Sequence, residues 1–207
     1  AGYRPVAAKD RLNSRERFSL WFSGHYLALI NVILALYVFL PILAPIMLKF
    51  GYTDSANTIY KLYRPLCHQL AYRSFFLFGE QAYYPLDVPA NSDRLTYQQV
   101  SGNPGEDMRL ASEFIGNERV GYKIALCQRD VAIYGSLLLF GIVFALTQRK
   151  LKPLPWWLWV LLAIGPLGLD GVWQLVSSMQ ISFLSWLPFH ESTPFLRVAT
   201  GAAFGWF

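Results

Sequence analysis

Charge is scarce in this 207-residue sequence: 15% of its residues are Asp, Glu, Lys or Arg, where a soluble domain carries about a quarter. Cysteine is scarcer still, with two in the chain and no CxxC pair, which excludes a disulfide-rich secreted scaffold. No P-loop, GxSxG, HExxH or CxxCH pattern occurs, so the common nucleotide, esterase, metalloprotease and haem signatures are missing. There is no internal repeat, no low-complexity tract and no recognisable signal peptide. A net charge of +5 hints only weakly at nucleic acid. The excess sits beside apolar segments, where it reports membrane topology, so no nucleic-acid partner is expected.

What the chain has instead is apolar surface: 54% hydrophobic and 16% aromatic residues, with a mean hydropathy of +0.30. The balance predicts a membrane protein with the lipid bilayer as its first partner. Four segments approach the roughly 20 residues needed to cross a hydrocarbon core. They are His25 to Leu48, with Pro41 and Pro45 as expected kinks; Val131 to Leu146, lengthened if Cys127 to Asp130 join it; Pro155 to Val176, opening on the aromatic "WWLW"; and a last one from Thr193. The first residue is Ala1 rather than Met, and Phe207 falls inside an apolar run, so both ends are expected to be trimmed.

Basic residues set the expected orientation. Arg4, Lys9, Arg11, Arg15 and Arg17 precede the first span, and Arg149, Lys150 and Lys152 fill the loop between the second and third. Both flanks are therefore expected in the cytoplasm. The expected fold is all-α: a single polytopic domain over residues 1–207, with a basic tail at 1–23 and an external insertion at 79–121. That insertion is rich in Pro and Gly, with one short helix near Glu106 to Ile115. Ile59 to Phe78, apolar but broken by Lys61, Arg64, His68 and Arg73, suits an interfacial or re-entrant helix.

The polar residues of the spans fall in one leaflet. Cys67 and His68, then Cys127, Arg129 and Asp130, then Asp170 and Gln174 one turn apart, then Arg197, all map to outer ends, with His190 and Glu191 just above. A charge inside a span costs about 2.5–3.5 kcal/mol on insertion scales, so Asp170 and Arg197 need partners. One reading pairs them with each other as a structural pin. The other makes Arg73, Asp170, Gln174 and Arg197 a polar pocket, whose guanidinium forks hold a carboxylate or quinone oxygen.

Cys67 and Cys127 carry three open readings. A disulfide would close a loop of about 60 residues and stabilise by about 4 kcal/mol in the chain-entropy model. A metal ion would use Cys67, His68, Cys127 and Asp130 or His190, although adjacent Cys-His is poor spacing for one ion. Two buried free thiols are the third. The stretch "LCHQLAYRSFF" is expected to lie as a helical lid over the outer ends, with Arg73 reaching Asp130 or Asp170 and His68 facing the pocket. "GAAFG", Gly201 to Gly205, predicts close helix packing without naming the partner helix.

At these residues the chain resembles a family of prokaryotic membrane proteins catalogued as domain of unknown function 2085. The resemblance rests on four ordered motifs, "CHQLAYRSFF", "CQRDVAIYG", "DGVWQ" and "RVATG", and covers Leu66 onward apart from the insertion, which is long for the family. It implies a multi-pass protein of the prokaryotic inner membrane, strengthens the outer-leaflet site and carries no established reaction. From residues and resemblance together, the expected function is a non-catalytic accessory subunit or ligand-binding module among other membrane subunits. The alternatives are a metal-binding or thiol-redox membrane enzyme and a small transporter. Four spans and one internal ion pair make a thin translocation path.

Overall fold

The computed structural model describes residues 13–89, 91–105, 107–179 and 190–207. Arg4, Lys9 and Arg11 of the basic flank lie outside them. The first helix, α1 (Ser14–Lys49), opens with a capping box. The Asn13 side chain accepts from the Glu16 N–H at 3.0 Å, and the Glu16 carboxylate accepts from the Asn13 N–H at 2.8 Å. Its 36 residues make it about 54 Å long, well beyond the roughly 30 Å hydrocarbon core. Pro41 and Pro45 sit inside it and are fully buried.

Ile59 to Phe78 is not one helix. Helix α2 (Thr53–Tyr63) ends in a turn, an irregular stretch leads to a 3₁₀ turn at Ala71–Arg73, and strand β1 (Ser74–Leu77) follows. The insertion is equally built. Helices α3 (Tyr97–Ser101) and α4 (Met108–Glu113) precede strands β2 (Gly116–Asn117) and β3 (Gly121–Cys127). The strands form an antiparallel sheet in the order β1-β3-β2, with an irregularity in β1 between Ser74 and Phe76. The all-α expectation is corrected here: the protein is mostly helical, with a small three-stranded sheet in its cap.

Two apolar clusters hold the cap. Leu70, Ala71, Tyr72, Phe76, Tyr84, Tyr97, Ala111 and Val120 pack together, so the insertion folds back on the "LAYRSFF" stretch. A second cluster joins the end of α1 to α2 and β3 through Ala44, Ile59, Tyr60, Tyr63, Ile124 and Leu126. Full burial of a large side chain is worth about 1.5–3 kcal/mol. The second cluster therefore fastens cap to α1 without any charge.

From β3 the chain enters α5 (Gln128–Leu146) directly, with Cys127 as N-cap. After a basic loop come α6 (Trp156–Trp159), a π-helical turn at Val160–Ile164, and α7 (Gly165–Ser178). The widened turn has a local cause: Pro166 lacks an N–H and its ring crowds the carbonyl four residues back, so the Gly165 N–H bonds to Val160 instead. Last comes α8 (Pro194–Trp206), capped by Thr193 with Pro194 in its first turn.

Among the described residues, three helical stretches are long and apolar enough to span a membrane: Ser14–Lys49, Gln128–Leu146 and Trp156–Ser177. The expected fourth span corresponds to α8, which is 13 residues long. Helix α8 lies against α5 at very short range. A methyl group on Gly205 would strike the Ile133 carbonyl and Ser136, and one on Gly201 would press on the Arg129 carbonyl and Ala132. The partner of "GAAFG" is thus α5, approached backbone to backbone.

Candidate functional site

The expected convergence of polar groups is present, but its pairings differ from those expected. Asp170 does not pair with Arg197. Its carboxylate accepts from the Arg129 guanidinium and from the Ser192 hydroxyl at 2.7 Å, and His190 Nε2 stands 3.5 Å away. Trp173 covers that imidazole with ring centroids 4.8 Å apart. Arg197, only 3% exposed, pairs with Glu191.

Glu191 is the hub. Arg73 grips it with both ends of its fork, Nε and Nη2 each at 2.8 Å, and the Gln174 side-chain amide donates to it at 2.6 Å. Arg73 therefore reaches neither Asp130 nor Asp170. Burial alone would push the Glu191 carboxyl up, but the Arg73 hydrogen bonds and the charges of Arg197 and Arg73 hold it below its ordinary value of 4.5. For Arg73, burial works against the charged form and Glu191 outweighs it.

Each member is placed by a distinct element. Arg73 ends the 3₁₀ turn, Arg129 is in the first turn of α5, Asp170 and Gln174 lie one turn apart on α7, and Arg197 is in the first turn of α8. His190, Glu191 and Ser192 stand directly before α8. These polar groups mostly satisfy one another. The exceptions among buried atoms are Asp170 Oδ1, which has only the nearby His190, and Arg129 Nε.

The cysteines form a separate group. Both are free thiols, and the Cys67 and Cys127 sulfurs and an Asp130 oxygen all lie within 4.8 Å of one another. Backbone donors point at both sulfurs: the Cys127 N–H at Cys67 Sγ (3.3 Å) and the Asp130 N–H at Cys127 Sγ (3.4 Å). The hydrogen bond with Cys127 draws the Cys67 thiol down although burial opposes it. The same hydrogen bond, reinforced by burial, pushes Cys127 well above its ordinary value. His68 does not join them. In this non-helical stretch Cys67 turns inward while His68 is exposed, and His190 faces Asp170 instead.

One buried group left no trace in the reading of the sequence. Lys123 is 0% exposed in the middle of β3, and its ammonium donates to the carbonyls of Gln69 (2.7 Å) and Ser112 (2.6 Å). Burial, helped by the charge of Arg64, pushes it down to about 7. Ser192, which supports Asp170, was missed for the same reason: a single polar residue of common type carries no pattern. A strand assignment for "GYKIALC" is the signal that would have placed Lys123 on the buried face, beside Ala125 and opposite β1.

Long apolar helices with exposed hydrophobic flanks, and a buried network of charges where they meet the sheet-bearing region, define a membrane protein carrying a folded cap. Residues 119–207 match the family described as predicted membrane protein (DUF2085), so this part of the chain is similar to that family. The match takes in the "CQRDVAIYG", "DGVWQ" and "RVATG" stretches and begins after "CHQLAYRSFF". No curated protein and no solved structure matches the chain.

Proposed function

We propose that this is a non-catalytic, multi-pass accessory protein of the membrane, which presents its cap as a rigid docking surface to other membrane subunits. The observation that carries this reading is the closed network around Glu191. The groups that would have gripped a carboxylate or quinone grip the protein's own carboxylate, and they do so across cap, interhelical segment and α8. Such a network fixes one domain on another and leaves little for a ligand. It supports an anchoring role for Arg73, Gln174 and Arg197 over the pocket reading.

The basic flanks put the tail at 1–23 and the loop at 149–152 in the cytoplasm in this reading. Arg149 donates to the Gly24 carbonyl at 2.9 Å, in keeping with both flanks lying at one end. The cap then faces the outside of the inner membrane. Phe78 and Met108 are large apolar side chains exposed on it, 50% and 61% respectively, and they are the candidate contacts.

A photo-crosslinking residue at 78 or 108, introduced in the native host, tests this. A discrete adduct with a membrane protein, formed from these positions and not from the helix face at Leu36, is expected. Monomeric behaviour in mild detergent with no adduct from either cap position would overturn the docking role. Labelling of an engineered cysteine at position 108 by a membrane-impermeant reagent, on intact cells, is expected if the cap is outside.

A further inference from the structure

The thiol pair takes no part in the Glu191 network and is the strongest chemistry the docking role leaves unused. Cys67 lies on the irregular stretch after α2, Cys127 ends β3 as the N-cap of α5, and Asp130 is in the first turn of that helix. Two sulfurs and a carboxylate oxygen within 4.8 Å of one another are close to a chelating arrangement. Ligands on a tetrahedral Zn²⁺, with Zn–S near 2.3 Å, stand about 3.7 Å apart, so contraction by about 1 Å would bring these three onto one ion.

We propose that Cys67, Cys127 and Asp130 bind Zn²⁺ with three protein ligands and a fourth position left to water. The donor set selects the ion. Thiolates suit both Cu⁺ and Zn²⁺, but a hard carboxylate oxygen as third ligand favours Zn²⁺ over Cu⁺. A closed structural zinc site needs four protein ligands. With His68 exposed and His190 on Asp170, three are available among the described residues.

The surroundings fit metal-bound thiolates. Both sulfurs already accept backbone N–H groups, at 3.3 and 3.4 Å, and such contacts orient ligands in an outer shell. The positive end of α5, a 19-residue helix, offsets negative charge on Cys127 and Asp130. On binding, Zn²⁺ displaces the protons of the two thiols to solvent, so affinity rises with pH. The site also crosses the junction between the irregular stretch and α5, so an occupied site ties the cap to the start of a membrane helix. This inference is independent of the docking role, since either holds without the other.

The test uses the full chain purified in detergent, reduced and stripped with a chelator, then titrated with Zn²⁺ against a chromophoric competitor. One Zn²⁺ per chain is expected, with both cysteines protected from alkylation. Co²⁺ in place of Zn²⁺ is expected to give thiolate-to-metal charge-transfer absorption in the near ultraviolet. Cys67→Ser and Cys127→Ser should each lose more than the roughly 10–100-fold in affinity that outer-shell partners carry. Serine retains the helix cap at position 127, so that variant is expected to elute as wild type in size exclusion. Asp130→Asn should weaken Zn²⁺ and leave both thiols reactive without metal. If a serine variant fails to fold, thiol protection in the wild type and the Asp130→Asn titration decide.

Both thiols alkylated in the presence of Zn²⁺ would overturn the proposal. So would label lost without metal and restored by reductant, which marks a disulfide, or Zn²⁺ retained by the double serine variant, which places the metal elsewhere.

Discussion

Glu191→Gln is the most informative single change, because one carboxylate pairs with two arginines. The substitution keeps size and shape and removes one charge. Arg197 then remains 3% exposed with no counterion, while Arg73, whose side chain is 30% exposed, regains partial solvation. Leaving a buried charge without its partner costs about 3–5 kcal/mol, and Arg197 accounts for most of it. Arg73 adds less than about 1 kcal/mol, in the range of partly exposed pairs. Gln174 loses the charge-assisted character of its 2.6 Å hydrogen bond but keeps a partner in the new amide. The assay is reversible unfolding from mixed micelles against increasing SDS, followed by tryptophan fluorescence and backed by protease sensitivity of the cap. A loss of about 3–5 kcal/mol is expected, with the cap becoming protease-sensitive before the spans unfold. The double variant Glu191→Gln/Arg197→Gln should recover more than half of that loss, since the stranded charge is gone. Glu191→Gln as stable as wild type would mean that the carboxylate is solvated and that the network is not the clamp.

Three further predictions follow from particular contacts. Glu191 sits below its ordinary value of 4.5 in the folded state, so its contribution is complete above the unfolded value and is lost as pH falls through the folded one. Cap release below about pH 4.5 is expected in the wild type, and that acid limb should flatten in Glu191→Gln. Lys123 has the opposite sign: its folded value of about 7 lies under the ordinary 10.5, so the unfolded chain holds the extra proton between them. Stability should therefore rise with pH from about 7 to about 10, and that slope should vanish in Lys123→Met, measured by unfolding at each pH. Gly205→Ala should separate α5 from α8 and cost about 1–3 kcal/mol as an overpacked contact, whereas Gly168→Ala, with nothing within 4 Å, should be neutral or slightly stabilising.

The long apolar stretches were legible because a span needs only length and hydropathy. The structure moved most of their ends by a few residues, as at the Cys127 cap, but α1 starts eleven residues before the expected His25, at the Asn13–Glu16 capping box. In the cap, the short helix expected near Glu106 to Ile115 is α4, but the sheet was not legible. "GYKIALC" is a seven-residue run buried at nearly every position, without the alternation that marks a half-exposed strand. "AYRSFFL" carried a charge that looked interfacial and proved to be a 3₁₀ turn entering a strand.

In the site, the sequence showed which charges share one end of the helices but not how they pair. Asp170 and Glu191 are chemically alike, and whether Arg197 meets one or the other turns on a few ångströms at the entry to α8. A 13-residue helix beginning right after Thr193 puts Arg197 against its own capping segment, so Glu191 wins and Asp170 falls to Arg129. The poor Cys-His spacing was a fair warning: Cys67 and His68 are neighbours along the chain yet face the interior and the solvent respectively.

The clamp also imposes an order of manufacture. Arg73 and Glu191 are 118 residues apart, so a growing chain carries Arg73 uncompensated through the synthesis of the cap, α5 and α7. Bringing such distant ends together costs little more entropy than closing a short loop, since the penalty grows only with the logarithm of length. The delay is therefore set by translation and insertion. Until the segment holding Glu191 is delivered, the cap is tethered through α1 and β3 alone, which gives a quality-control protease a window in which an unfinished copy differs from a finished one.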